Sequence, residues 1–185
     1  MKRYGKVLFV VLALFLMIGC GGVFTPSERV EDLFNRYIKN DADIMDELDT
    51  YLAKQDLTED QRAQYKNIIK GEYATIKYTI KDEKIDGDEA VVEVALEVKD
   101  LYKASKKSGD YLVEHAAEFY TDGVYDRAKF VDYKLDEMEK YGETVNYNIF
   151  INLVKKDGLW TIEQIDNATL EKIHGIYDYE TDRES

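Results

Sequence analysis

The sequence is poor in cysteine, proline and glycine, and each shortage excludes a class of structure. Its 185 residues include one Cys, one Pro and 11 Gly. A single cysteine cannot form an internal disulfide, a redox-active CxxC pair or a zinc site built from several cysteines. So little proline and glycine excludes collagen-like repeats, proline-rich ligand segments and low-complexity linkers.

Positive charge is also scarce. The chain has 25 Lys and Arg against 38 Asp and Glu, which gives a net charge of -13. Such a surface repels a phosphate backbone, so we expect no nucleic-acid partner. The hydrophobic share of 45% and the aromatic share of 12% are typical of a globular chain whose length suits one domain.

The N-terminus has the pattern of a secretory signal. Lys2, Arg3 and Lys6 precede an uncharged apolar run over residues 7–18. A membrane-spanning helix needs about 20 apolar residues, whereas a run of about 10–14 fits the hydrophobic part of a signal peptide. The sequence therefore predicts a signal peptide over residues 1–19.

The run ends in Met17-Ile18-Gly19-Cys20, which resembles the lipobox of bacterial lipoproteins. In that family, cleavage before the cysteine exposes a thiol that receives diacylglycerol. The resemblance implies covalent diacylglycerol on Cys20 and allows an N-acyl chain there as well. Two acyl chains, at about 0.8 kcal/mol per buried CH₂, hold a protein on a membrane. We expect a lipid-anchored protein at the extracytoplasmic face of the bacterial cell membrane, with residues 20–24 as a short tether.

The segment after the tether predicts three helices. Apolar residues recur at helical spacing in each, and two of the starts are capping boxes, Thr25-Pro26-Ser27-Glu28 and Thr58-Glu59-Asp60-Gln61. The apolar spacing then changes from 3.6 to 2, which predicts a β-hairpin around Asp86-Gly87-Asp88 and a second one around Asp157-Gly158.

Between the hairpins, the polar composition of residues 100–110 predicts a connection, and the apolar spacing after it predicts two helices. The first helix is indicated from Leu112 to Tyr120 and stops at Gly123, and the second ends at Gly142. Asn167 is expected to cap a final short helix, and an acidic tail over residues 179–185 is expected to fray.

This order predicts an α+β domain over residues 25–178. N-terminal helices pack on a curved four-stranded antiparallel sheet built from two hairpins, with helices inserted between them. The hairpin DGDEAVVEVALEV and the closing segment LVKKDGLWTIEQI look like small Gram-positive lipoproteins of unknown function. That resemblance implies a cystatin-like or nuclear-transport-factor-2-like fold, a broad fold that hosts many functions.

Three charged segments invite a ligand hypothesis. Acidic residues 41–49 could suit calcium, but their spacing does not match an EF-hand loop. His115 and Glu118 could chelate zinc only with further ligands. The basic cluster Lys103, Lys106 and Lys107 could face the membrane. For none of these segments do we predict a metal site.

Catalytic motifs do not stand out, and we predict no catalytic residue. The chain has no GxGxxG, Walker-type or GxSxG sequence. We expect a non-enzymatic binding or interaction module whose partner is an envelope protein or a small ligand. The alternative is a protein that binds a lipophilic small molecule, with Tyr78 and Tyr147 lining its pocket, or an enzyme similar to ketosteroid isomerase. Such an enzyme would need a buried carboxyl of raised pKa beside a tyrosine.

Overall fold

A computed structural model describes residues 24–181 and has the predicted α+β architecture. The elements, in chain order, are α1 (Pro26–Ile38), α2 (Ala42–Leu52), α3 (Glu59–Tyr73), β1 (Lys77–Asp86), β2 (Glu89–Lys99), α4 (Leu101–Glu114), a 3₁₀ turn (Ala116–Phe119), β3 (Tyr120–Thr121), β4 (Val124–Tyr125), α5 (Arg127–Lys140), β5 (Thr144–Lys156), β6 (Leu159–Ile162) and α6 (Asn167–Ile173).

Both predicted capping boxes are confirmed. Thr25 Oγ1 accepts the backbone N–H of Glu28, and Glu28 accepts the N–H of Thr25 in return. Thr58 and Gln61 make the same exchange at the start of α3. These bonds satisfy amides that have no partner within the helix, and they fix where α1 and α3 begin.

The main sheet has the strand order β1-β2-β5-β6, and every neighbouring pair is antiparallel. Two hairpins therefore form a four-stranded antiparallel sheet, which confirms the prediction. Gly87 and Gly158 take the positive φ angles of +60° and +81° that their tight turns require.

The core lies between one face of this sheet and the helices. Alternate residues of β2 and β5 point inward, and α1, α3 and α6 cover them. Each large apolar side chain buried there contributes about 1.5–3 kcal/mol relative to its exposed state. The inward residues of the two central strands are Ala90, Val92, Val94, Leu96, Val98, Ile149, Ile151 and Leu153.

The predicted polar connection over residues 100–110 is wrong, because these residues form most of α4. Asp100 caps this helix by accepting the N–H of Lys103 at 2.9 Å. Leu101, Ala104 and Ser108 are its buried residues and lie at helical spacing. Small and polar residues on the buried side hid this amphipathic pattern.

The helix predicted from Leu112 to Tyr120 is also wrong beyond residue 114. The chain instead makes the 3₁₀ turn and a two-stranded hairpin, β3–β4, around Asp122-Gly123. Asp122 and Gly123 both have positive φ angles, of 52° and 78°. The turn chemistry of this Asp-Gly pair prevails over the helical spacing.

The C-terminal helix is capped one residue earlier than predicted. Asp166, not Asn167, is the capping residue, and its Oδ1 accepts the N–H of Thr169 at 2.8 Å.

In the C-terminal tail, the Tyr179 hydroxyl donates to Asp100 Oδ2 at 2.8 Å. The expected fraying therefore does not apply to Tyr179, because its hydroxyl is held by a buried carboxylate.

Candidate functional site

The predicted lipid-attachment residue Cys20 and the lipobox residues Met17, Ile18 and Gly19 lie outside the described residues. Lipid attachment stays a prediction. The start of α1 is fixed beside the β1–β2 turn, because the N–H of Ser27 donates to Glu83 Oε2 at 2.7 Å. The predicted tether therefore enters the domain at this end of the sheet.

Tyr78 and Tyr147 both pack against the core, but Leu96 separates them in the same cross-strand row. Tyr78 stacks on Phe34 with ring centroids 4.9 Å apart. Tyr147 meets Tyr177 edge-on at 5.9 Å, and burial raises the pKa of Tyr147. Each tyrosine packs against its own neighbour, so the structure does not bring these two predicted pocket residues together.

The acidic segment at residues 41–49 is organised around Arg36. Arg36 Nη2 lies 2.9 Å from Asp41 Oδ1 and 2.6 Å from Asp43 Oδ2. The hydrogen bond from Arg36 lowers the pKa of Asp41. Asp41 also caps α2 by accepting the N–H of Asp43. These contacts give the carboxylates a structural role at the start of a helix.

His115 and Glu118 contact each other as the spacing suggested, with 3.4 Å between His115 Nδ1 and Glu118 Oε1. Tyr111 stacks on His115 at 4.1 Å and donates its hydroxyl to Glu118 Oε2 at 3.0 Å. Over residues 24–181, no three His, Cys, Asp or Glu side chains are grouped so that they could hold a metal ion.

The basic cluster of α4 is neutralised by carboxylates. Lys103 and Lys107 both pair with Glu143, at 2.6 Å and 3.5 Å, and Lys106 lies 3.5 Å from Glu180. Little unpaired positive charge is left on this helix to attract anionic lipid head groups.

Glu72 on α3 is a carboxyl with no exposed surface. Its Oε2 accepts the N–H of Lys99 at 3.3 Å, and its Oε1 has no hydrogen-bond partner among the described residues. Burial raises the pKa of Glu72 to about 7, against the lowering effect of Lys99 and Thr75. The sequence did not single out this residue as a candidate. Its position four residues after Ile68 and three after Ile69, on the apolar stripe of α3, was the available signal.

Tyr73, the next residue along α3, belongs to an aromatic cluster with Tyr37 and His174. Tyr73 Oη lies 3.3 Å from His174 Nε2, and the rings of Tyr37 and Tyr73 meet edge-on at 5.0 Å. Burial raises the pKa of half-buried Glu47 to about 7. Burial also lowers the pKa of His174 to about 4. The imidazole is therefore uncharged near neutral pH.

Glu72 has the raised pKa that the isomerase-like alternative requires. Tyr73 follows it in the chain, but adjacent helical residues do not face each other, and the Tyr73 hydroxyl lies against His174. Both side chains lie in the core, however, and a reactant could touch Glu72 only if the surrounding helices opened. In this closed arrangement, the carboxyl acts on the pH dependence of stability.

Apolar side chains are exposed where α4 connects to α5. Val113 is 81% exposed and Val124 is 69% exposed, and Tyr120 and Tyr125 face each other across the β3–β4 hairpin at 47% and 41%. We call these four residues the apolar tip. Tyr120 and Tyr125 share one face of the hairpin, whereas Val124 pairs with Thr121 and projects from the other face. Exposed apolar side chains on neighbouring elements are typical of interaction sites.

A rigid aromatic base holds the apolar tip in place. Phe119 is buried and meets Phe130 and Tyr133 edge-on, each at 5.4 Å. Tyr133 also stacks on Tyr111 of α4 at 4.7 Å. The backbone N–H of Asp126 donates to the carbonyl of Phe119 at 2.7 Å. The tip is therefore a preformed surface, and a partner would pay little ordering entropy to use it.

Helix α4, which leads to the apolar tip, begins at the end of β2 opposite the predicted tether. Strand β2 runs from the turn beside Ser27 to Lys99, and α4 begins two residues later. Its 11 residues span about 33 Å at roughly 3.3 Å per residue. Helix α4 packs on α5, and α5 packs on α3.

None of the helices within residues 24–181 is both long enough and apolar enough to cross a membrane.

Comparison with known proteins yields one similar structure. No protein-family model and no curated protein sequence matches the chain. A solved structure from Bacillus subtilis, described as a "putative lipoprotein (ycdA)", is 18% identical with a TM-score of 0.44. The superposition covers 84% of this chain and 48% of that one, so this chain spans about half the length of its structural neighbour. Likeness at this level does not establish a shared function.

Proposed function

We propose that this protein is a lipid-anchored extracytoplasmic interaction module, not an enzyme, and that it presents the apolar tip to another protein of the cell envelope. The observation that carries the proposal is the exposure of Val113, Tyr120, Val124 and Tyr125 on a rigid support. The lipobox-like sequence before Cys20 supports the anchor. The resemblance to Gram-positive lipoproteins with a cystatin-like or nuclear-transport-factor-2-like domain belongs to the same proposal.

A protein partner suits the apolar tip better than a lipid surface does. The tether is expected to enter near Ser27, whereas α4, which leads to the tip, begins at the other end of β2. Two tyrosines form half of the tip, and tyrosine is enriched at protein–protein interfaces, where its ring is buried and its hydroxyl stays bonded. The net charge of -13 also opposes direct adhesion to anionic lipids.

Site-specific photo-crosslinking tests the proposal in the native membrane. A photoreactive side chain at Val124 of the full-length protein should give a discrete protein adduct. The matched control is Ile85, another exposed apolar residue, which lies on β1 beside the β1–β2 turn and not on an element of the tip. The adduct at position 124 should fall at least fivefold when Tyr125→Ser and Tyr120→Ser are introduced together. Equal adducts at positions 85 and 124, or lipid adducts alone at 124, would contradict the assignment.

Replacing the lipid-attachment residue should release the protein from the membrane. In Cys20→Ser, no thiol is available for diacylglycerol, and the acidic domain has no electrostatic substitute for the anchor. We expect most of the protein to leave the membrane fraction. Intact mass and fractionation of both forms measure this. An unchanged membrane association, with no acyl mass on the wild-type chain, would refute lipid anchoring.

Small-molecule binding is the second candidate function, and one observation favours it. The hydroxyl oxygen of Tyr147 is buried and has no hydrogen-bond partner among the described residues. A buried hydroxyl normally finds a partner, which a ligand or a water molecule could supply. The apolar tip still favours the interaction module, because its surface is already exposed to a partner.

A further inference from the structure

The two edges of the main sheet differ in how they are protected. Edge strand β1 carries the exposed lysines Lys77, Lys81 and Lys84, and its pairing with β2 is interrupted by a bulge between Ile80 and Asp82. Lysines and bulges are the usual means by which proteins prevent another strand from adding to a sheet edge. This edge is therefore closed to further strands.

The other edge is largely open. Strand β6 pairs with β5 only over residues 153–156, and one further bond joins the N–H of Glu163 to the carbonyl of Asn152 at 2.9 Å. Within the part of the chain that the structure describes, no strand pairs with residues 144–151 on this side. Strand β5 thus extends well beyond its neighbour.

The direction of the free backbone groups follows from the hydrogen-bond pattern. The N–H of Lys155 donates to the carbonyl of Asp88, so the odd-numbered residues of β5 bond toward β2. Backbone groups alternate sides in an antiparallel ladder. The N–H and C=O groups of Asn146, Asn148 and Phe150 therefore point to the open side. Asn146, Asn148 and Phe150 are all exposed residues, and unpaired backbone groups are rarely buried, so these groups are accessible to a partner strand.

The composition of this open edge is unlike the rest of the chain. Residues 144–151, TVNYNIFI, contain no charged residue and no proline, although 34% of the whole chain is charged. Their pairing with β2 runs without a register shift. The protections found on β1 are absent from this segment, and Phe150 in its middle is 58% exposed. We call residues 144–151 the open edge.

Charge around the open edge selects its occupant. Phe150 lies opposite Glu93 on β2, and Glu93 lies opposite Asp82 on β1. Asp82 pairs with Lys84 at 3.7 Å, so within residues 24–181 Glu93 is the unpaired carboxylate next to the phenyl ring on the outer face. No cation lies within 4 Å of Glu93 among the described residues. Neighbouring strands are about 4.8 Å apart, so a lysine or arginine on an added strand could cross Phe150 toward Glu93.

A second copy of this chain is a poor occupant by comparison. Each copy carries a net charge of -13, and two copies paired at the open edge would bring the Glu93 carboxylates of both outer faces closer together. A segment of eight residues also buries less than the roughly 1,200–2,000 Å² typical of a stable dimer.

We propose that the open edge binds an extended, basic segment of another protein by β-strand addition, with backbone bonds to Asn146, Asn148 and Phe150. Alternate apolar side chains of that segment would pack beside Ile149, and its basic side chains would lie on the outer face toward Glu93. This site is separate from the apolar tip, and its test does not depend on the tip.

The test uses full-length protein in detergent and a capped eight-residue peptide of alternating valine and lysine. Binding should slow hydrogen exchange at the amides of Asn146, Asn148 and Phe150 at least tenfold. The amides of Tyr147 and Ile149, which already face β2, should change little. A peptide of alternating valine and glutamate should bind at least tenfold more weakly, because Glu93 repels it.

Four variants separate backbone pairing from charge. Asn148→Pro removes an amide that bonds to no other strand, so it should leave the fold intact while weakening lysine-peptide binding at least tenfold. Phe150→Lys keeps the backbone and should weaken binding by a similar factor through charge repulsion. Glu93→Gln should weaken binding about threefold to tenfold. Glu114→Gln, which makes the same charge change at an exposed site on α4, should not affect binding.

Several results would overturn the proposal. They are protection of other amides instead of the open edge, equal binding of the glutamate peptide, and unchanged binding in Phe150→Lys. Concentration-dependent protection of the open edge in protein alone, accompanied by a dimer mass, would assign the edge to a second copy. Loss of the Val124 adduct in the crosslinking experiment would leave this result unaffected.

Discussion

Gly175→Ala is expected to destabilise the protein by roughly 3–5 kcal/mol, among the larger effects of a single substitution. Gly175 follows α6 and has a φ angle of +67°, where a side chain is strained. A Cβ atom at this position would stand 2.1 Å from the carbonyl oxygen of Lys99. Because that oxygen belongs to the backbone where β2 ends, the clash cannot be relieved by a rotamer change.

The consequence of this clash extends beyond α6. The carbonyl of Gly175 accepts the N–H of Tyr102 at 2.8 Å, so the glycine joins α6 to the beginning of α4. Moving the chain away from Lys99 would break this bond and disturb the packing of both helices. We therefore expect a lower urea midpoint with little change in the denaturant slope.

Gly87→Ala is the matched control, because Gly87 also has a positive φ angle, of +60°, but no heavy atom lies within 4 Å of the added carbon. This variant should lower the free energy of unfolding by only about 1–2 kcal/mol, because it has the backbone strain of a positive φ angle without a steric clash. Equal losses in the two variants would show that the close approach to Lys99 contributes nothing.

Glu72→Gln is expected to stabilise the protein above neutral pH by about 3 kcal/mol. The pKa of this buried carboxyl is raised from 4.5 to about 7, chiefly by burial. At high pH the ionised carboxylate is buried in the folded wild-type protein but hydrated in the unfolded chain, so ionisation favours unfolding. Glutamine has nearly the same shape and can still accept the N–H of Lys99, but it carries no charge. The difference between the pKa of this carboxyl in the unfolded chain and its pKa in the folded chain corresponds to a free-energy difference of roughly 3 kcal/mol.

The sign of this effect depends on pH in a defined way. Below about pH 4.5 the carboxyl is protonated in both the folded and the unfolded chain, so ionisation costs nothing. As pH rises toward 7, the unfolded chain loses its proton first, and the wild-type protein loses stability relative to Glu72→Gln. Above pH 7 the folded carboxyl ionises as well and the difference becomes constant.

Urea unfolding of both proteins at pH 4.5, 6 and 8 measures this prediction. Taking the difference between the proteins at each pH cancels the separate titration of Glu47, whose pKa is also raised to about 7. A difference that does not change between pH 4.5 and 8 would refute a raised pKa at Glu72. It would indicate that water reaches the carboxyl in the folded protein.

The same variant bears on whether Glu72 has a chemical role. A group kept for catalysis often lowers stability, and its replacement then raises stability while abolishing activity. Under the proposed interaction role, Glu72→Gln should be more stable at pH 8 and still give the Val124 crosslink at wild-type yield. Loss of that crosslink in a well-folded variant would connect the core carboxyl to partner binding.

Local signals account for most of what could be predicted. Thr25 and Thr58 each find a partner three residues away, and the Asp-Gly turns at residues 86–87 and 157–158 require only a positive φ angle. Such features depend on neighbouring residues, so they can be read without knowing the tertiary structure. The alternation along β2 and β5 likewise indicated which side faces the core.

Helix α4 shows where local signals fail. Its buried residues include Ala104 and Ser108, which a hydrophobicity pattern does not recognise as core positions. Their burial depends on α5, which is distant in the sequence. The apolar tip was missed for a related reason, because the exposure of Val124 depends on which other elements are close by.

The sequence by itself determined the α+β class, the two hairpins, the starts of the N-terminal helices and the expectation of a lipid anchor at Cys20. Each of these depends on residues close together in the chain. Only the tertiary structure decided that Glu72 is enclosed, that β6 leaves residues 144–151 of β5 unpaired and that the apolar tip is exposed. Enclosure, exposure and a free strand edge depend on which distant segments pack nearby, and such long-range packing is not encoded in any short window of sequence.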